Sequence, residues 1–159
     1  YSSDWSAVVD RIYDLGKKCA HPETGILPDF VVGEPPIPAE PFFLERQTDG
    51  SYGANACRVP WRIGMDYLHF GDDRSKALSE KLIQWLSNSV KNDISKVCNG
   101  YELDGTPTYK ENWEPWGMYL GPFMVAATCD EQFQEFLDGC WNYLVEYKSE
   151  TGYYSNSIT

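Results

Sequence analysis

Apolar residues spaced three and four apart set out a series of helices, joined by connections that run long, short, long, short, short. The fifth stretch is the clearest. Phe133, Phe136, Leu137, Cys140, Trp141, Leu144 and Val145 repeat strictly behind a cap at Asp130, and Gly152 breaks the pattern. The first runs from about Asp4 to Cys19, with Trp5, Val8, Val9, Ile12, Leu15 and Cys19 expected on one buried face. A second covers about Cys57 to Phe70. Asn55 sits at or just before its cap, and Pro60 falls near the first turn, where a missing N–H costs little. Beyond Gly71-Asp72-Asp73 a third continues to about Val90, with Leu78, Leu82, Trp85, Leu86 and Val90 on one stripe. A fourth spans about Gly117 to Thr128, and a sixth starts at Tyr153.

Short links fold one helix back on the next as an antiparallel hairpin, so successive long links fall on the same face of the array. The expected fold class is therefore all-α, with helical hairpins and a cleft built from loops on one face. An ordinary helical bundle is the alternative. Residues 21–55, with Pro22, Pro28, Pro35, Pro36 and Pro38, form the first long connection. Residues 91–116 form the second. A connection of such length inside a compact domain is usually functional.

The net charge of −11 argues against a phosphate-bearing partner, because nucleic-acid binders carry basic stripes. No apolar run approaches a membrane span. The five cysteines, Cys19, Cys57, Cys98, Cys129 and Cys140, are odd in number and show no close pair, so neither a metal site nor another cofactor is expected. Most read as small buried apolar residues, and one disulfide of unassigned pairing is open. His21 and His69 have no partner at ligand spacing and read as structural. The surplus of Tyr and Trp fits either a surface that stacks on sugar rings or an amphipathic core rim. Both termini look cut from something longer.

The informative segment runs from Phe43 to Tyr67. It joins a loop carboxylate, a helix-cap amide, two arginines and a tryptophan. Gly25-Ile26-Leu27-Pro28-Asp29-Phe30 resembles the G-L-x-P-D-aromatic element of glycoside hydrolase family 8. Asn55-Ala56-Cys57-Arg58-Val59-Pro60-Trp61-Arg62 followed by Asp66-Tyr67 resembles that family's (D/N)-A-x-R-x-x-W-R…D-Y helix start. Gly121-Pro122-Phe123 and Gly152-Tyr153-Tyr154-Ser155-Asn156-Ser157 follow in the family's order. The resemblance covers nearly the whole chain, 1–159, but only the C-terminal part of the family's domain. It implies about half of an (α/α)6 toroid and an inverting endo-glycosidase acting on β-1,4-linked polysaccharide, of the β-glucanase or cellulase kind.

Asn55 departs from the pattern. Many members carry an Asp there as general base, and an amide cannot accept that proton. Another branch has Asn here and a Glu on the preceding loop, which Glu45 matches. The resemblance thus implies Glu45 as general base and Asn55 as orienter of water or sugar. Arg58 matches the family's arginine one turn into the helix, suited by its fork of donors to a sugar hydroxyl or to a carboxylate. Arg62 and Asp66, four apart on a helix, are placed to pair with each other. Trp61 reads as packing. Trp113 and Trp116 end a long loop where stacking on sugar and anchoring of the loop both fit. Tyr153 and Tyr154 match a Tyr-rich element near the family's cleft.

Inversion needs an acid on the leaving oxygen and a base on water, roughly 6.5–9.5 Å apart. The family supplies the acid from its N-terminal half, and nothing marks Glu34, Glu40 or Asp49 as a substitute. The expected partners are a β-linked polysaccharide and either the missing half of the domain or a second copy of this chain. No nucleic-acid or membrane partner is expected, and the expected location is extracellular. Within the same class, chitosanase and xylanase are the rivals. From other classes, a non-catalytic carbohydrate-binding or assembly module and a helical interaction protein remain.

Overall fold

The computed structural model describes residues 4–109, 114–146 and 153–158. Six helices carry the architecture: α1 (Asp4–Cys19), α2 (Val59–Phe70), α3 (Asp73–Val90), α4 (Gly117–Ala127), α5 (Gln134–Glu146) and α6 (Tyr153–Ile158). A two-residue hairpin, β1 (Val31–Val32) and β2 (Ile37–Pro38), pairs Val31 with Pro38 and Val32 with Ile37 inside the first long connection. Where α5 ends and whether Gly152 breaks it lie outside the described residues.

α2 and α3 form one antiparallel hairpin and α4 and α5 a second, as the short links require. The α3 start is capped by Asp72, whose side chain accepts from the Arg74 N–H at 2.8 Å. Asp130 does the same for the 3-10 turn Glu131–Phe133 that leads into α5, accepting from Gln132 at 3.0 Å. α4 is the central element, apolar on all sides. Met118, Tyr119, Leu120, Phe123, Ala126 and Ala127 are all buried, packed on Leu82, Ile83, Leu86 and Val90 of α3 and on Phe136 and Cys140 of α5. α2 crosses α4 at Gly64, where even a β-carbon would stand 2.7 Å from the Val125 carbonyl oxygen.

The two long connections meet on one face. Tyr52 and Tyr101 exchange backbone hydrogen bonds of 2.8 and 3.0 Å. The Tyr52 ring then stacks on Phe123 at 5.7 Å and 18°, which ties the loops to the core. Asn99 staples the approach to α4, donating to the Glu114 carbonyl and accepting from the Trp116 N–H.

Two expectations about buried faces fail. Trp5, Val8, Val9, Ile12 and Leu15 of α1 are 39–63% exposed, because no described element covers that face. α1 is held instead by its polar side. Tyr13 donates to Asp66, and Arg74 bridges to Asp10 at 2.6 Å while lying over the Tyr13 ring. On α5, Trp141 and Val145 are 61% and 68% exposed, so only part of the periodic stripe faces the core. All five cysteines are free, three of them buried.

Candidate functional site

The second helix begins later than its pattern suggests. Ala56–Arg58 is a single 3-10 turn, and the α-helix proper starts at Val59 with Pro60 at its head. A helical start leaves N–H groups in need of acceptors. Asn55 was expected to supply one, yet its side chain makes no capping bond. Asp29 braces the approach from the preceding connection: its Oδ1 accepts from the N–H groups of Gly53, Asn55 and Ala56 at 2.9, 3.2 and 2.7 Å. Burial pushes the Asp29 carboxyl up, the three donors oppose this, and the neighbouring Glu45 charge adds to the rise.

With its backbone satisfied elsewhere, the Asn55 side chain reaches across. Nδ2 donates to Glu45 Oε2 at 3.2 Å, and Oδ1 accepts from Arg58 Nη2 at 3.1 Å. Arg58 also donates through Nε to the Asn55 carbonyl at 3.2 Å. The chemistry of the partners fixes which way the amide points. A guanidinium only donates and an ionised carboxylate only accepts, so the oxygen faces Arg58 and the nitrogen faces Glu45.

Glu45 stands on a loop organised from inside. The Asp49 side chain is 2% exposed and accepts from the N–H groups of Leu44, Glu45 and Arg46 at 2.7, 2.9 and 2.7 Å. Burial alone would push its carboxyl up. The three donors and the Arg46 charge outweigh that and hold it below the usual carboxylate range. Asp49 is thus a structural acid that presents the Glu45 carboxylate to solvent.

Tyr154 joins this cluster through a 3.0 Å bond from its hydroxyl to the Ala54 carbonyl. Tyr153, next to it, is 88% exposed. Trp116 is half-buried at the head of α4, its backbone held by Asn99, an arrangement that anchors the loop. Trp113 lies outside the described residues. Arg62 and Asp66 do not pair: Asp66 accepts from Tyr13, and Arg62 lies 4.3 Å from the centre of the Trp61 ring. Below the site, burial pushes the Cys57 thiol up to about 12, against the pull of Arg58. An open groove of about 660 Å³ continues past the Glu45 loop, lined by Arg46, Thr48, Ser51, Glu102 and Tyr109 among others.

Sequence reasoning left Asp29 and Asp49 without a role. Asp29 stood inside a quoted motif, but its partners lie 24 to 27 positions away. The Asp49 bonds are local, reaching three to five positions back.

No family model matches the chain. Over 158 residues it is 37% identical to an endoglucanase of Bacillus sp. (strain KSM-330), spanning 96% of this chain and 33% of that protein. Over 159 residues it is 38% identical to a beta-glucanase of Niallia circulans, spanning 97% of this chain and 38% of that one. Its structure matches that of a beta-1,3-1,4-glucanase from Paenibacillus sp. X4 with a TM-score of 0.90 and 37% identity, over 99% of this chain and 42% of the other. A family 8 glycoside hydrolase from Teredinibacter turnerae, a catalytic-mutant xylanase in complex with xylohexaose, matches with a TM-score of 0.74 and 25% identity, over 97% and 37%. The chain therefore spans about a third to two fifths of the length of the relatives it matches.

Helical hairpins with long loops between them make this chain similar in fold to part of an α/α-toroid glycoside hydrolase. The fold is shared with glycoside hydrolase family 8, whose structures this chain resembles over 97–99% of its own length.

Proposed function

We propose that this chain is the C-terminal part of the catalytic domain of an inverting endo-β-glucanase, and that Glu45 is its general base. The observation that carries this reading is the Glu45–Asn55–Arg58 relay. It supports a solvent-facing carboxylate whose free oxygen is available to water while the other is held by an amide of fixed direction. In the reaction Glu45 takes a proton from water, and the water oxygen attacks the anomeric carbon from the face opposite the leaving group. The bond to the leaving oxygen breaks as an acid protonates it. That acid belongs to the remainder of the domain, as does the other wall of the cleft. Arg58 keeps the Asn55 amide from rotating, so that Asn55 orients the water or the sugar beside the base.

The substrate is a neutral β-linked glucan, in line with the endoglucanase and beta-glucanase names of the relatives. The groove past Glu45 supports this, since among its described lining residues one cation and one carboxylate stand beside neutral polar groups that suit an uncharged polyol. A polysaccharide substrate is met outside the cell, which supports an extracellular location. The exposed apolar face of α1 is the seat of the remaining helices of the domain.

In the full-length protein Glu45→Gln should abolish release of reducing sugar from lichenan, by about 1,000-fold or more in kcat, with the circular dichroism spectrum unchanged. Rates near wild type would move the base elsewhere. Anomeric analysis of the first product by NMR tests inversion: an α-anomer appearing first from the β-linked chain is expected, and a β-anomer overturns the mechanism.

A further inference from the structure

We propose that Asp29 is a positioning residue for the reaction, capping the Gly53–Ala56 turn from a distant segment so that the Asn55 amide is left free to face Glu45. This rests on the reading of Glu45 as the base.

A helix start normally draws its acceptor from the residue at its head, and Asn is among the best at it. At position 55 that local solution would turn the amide back onto the backbone and away from Glu45. The same side chain cannot cap the turn and bridge Glu45 to Arg58. Asp29 fixes the turn from outside it, one oxygen accepting from three N–H groups, the backbone N–H of Asn55 itself included. Hydrogen bonds to a charged acceptor are stronger than those to a neutral one, so Asp29 grips the turn firmly. The approach is close: a β-carbon on Gly53 would stand 2.6 Å from Asp29 Oδ2, so any side chain there must push the carboxylate aside.

Removing the Asp29 acceptor leaves the Gly53, Asn55 and Ala56 N–H groups without their partner, so the turn that carries Asn55 must shift. That shift carries the Asn55 amide away from both Glu45 and Arg58. Sugar-binding groups elsewhere in the cleft are untouched, so the loss falls on the chemical step. A positioning error of this kind costs about 100-fold in rate.

The test compares Asp29→Ala, Asp29→Asn, Gly53→Ala and Glu45→Gln in the full-length protein, with selective ¹⁵N-asparagine labelling. Asp29→Ala should lower kcat about 100-fold with KM within about threefold, and shift the Asn55 side-chain NH₂ resonances. Asp29→Asn keeps an acceptor oxygen and should recover part of kcat. Gly53→Ala, which displaces the carboxylate without removing it, should reproduce the kcat loss and the Asn55 shift. It keeps the test decisive if Asp29→Ala fails to fold.

Unmoved Asn55 resonances in folded Asp29→Ala or Gly53→Ala would overturn the proposal. So would a lowered melting temperature with kcat intact, since a purely structural acid would do that. If Glu45→Gln stays active, the base assignment fails, and the Asn55 resonances alone then decide whether Asp29 holds the amide.

Discussion

Asp72 caps α3 through the Arg74 N–H and also grips the Arg74 guanidinium, with Nη2 at 2.7 Å from Oδ2. The Arg74 side-chain bond holds the Asp72 carboxyl down at about 2, below its ordinary 3.8. A folded-state value below the unfolded one means the contribution to stability is complete above about pH 4 and fades as pH falls toward 2. Asp72→Asn keeps the cap but removes the charge. At pH 6 it should lower the melting temperature by about 2–4 °C, and the gap to wild type should close by pH 2. A gap that persists at pH 2 would put the effect in the cap instead. Asp29 works in the opposite sense, since its carboxyl is raised and its burial costs least when it is protonated. At this scale the sequence was only partly readable. Glu45 and Asn55 were legible through a resemblance, but the Asn55 side chain turned out to be a bridge and not a cap. The residue that displaced it as a cap is 26 positions away.

The helices were largely readable, because the three-four apolar spacing that buries one face of a helix is written in consecutive residues. α3 and the start of α2 differ from expectation by a turn at most. The crossing of α2 over α4 was not readable, since nothing in the α2 sequence says which partner lies against Gly64. There the Val125 carbonyl carbon and the Ala126 nitrogen would come within 2.8 and 2.9 Å of an added β-carbon, and all the nearest atoms are backbone. Backbone cannot swing aside as a side chain can. Gly64→Ala should therefore destabilise the chain by about 1–3 kcal/mol, read as a lower urea midpoint at unchanged slope. An unshifted midpoint would mean that α2 slides along α4 at little cost.

Seen whole, the molecule carries apolar surface on two sides: the α1 face with Trp5, Ile12 and Leu15, and the outer side of α5 with Trp141 and Val145. Beneath α1 lies a cavity of about 630 Å³ lined by Ile12, Leu15, Leu27, Ile63 and Leu78 among others. Patches of this kind drive association unless something covers them. The net charge of −11 opposes that association, and salt screens the opposition. Sedimentation of the 159-residue chain should therefore show self-association that strengthens from about 10 mM to about 500 mM salt. It should be lost in the Ile12→Glu, Leu15→Glu double variant. A monomer at every salt concentration would count against an α1 face built to be covered.

By itself the sequence determined the helical character, the hairpin pairing forced by short links, and the family pattern around residues 43–67. Each of these depends on neighbours in the chain or on motifs of a few residues. Tertiary structure alone decided that Asp29 braces a distant turn, that Asn55 joins Glu45 to Arg58, and that the α1 stripe lines an open cavity and stays exposed. Those outcomes depend on which atoms meet across segments far apart in sequence, and a hydrogen-bond donor or an apolar face carries no mark of the partner it will find.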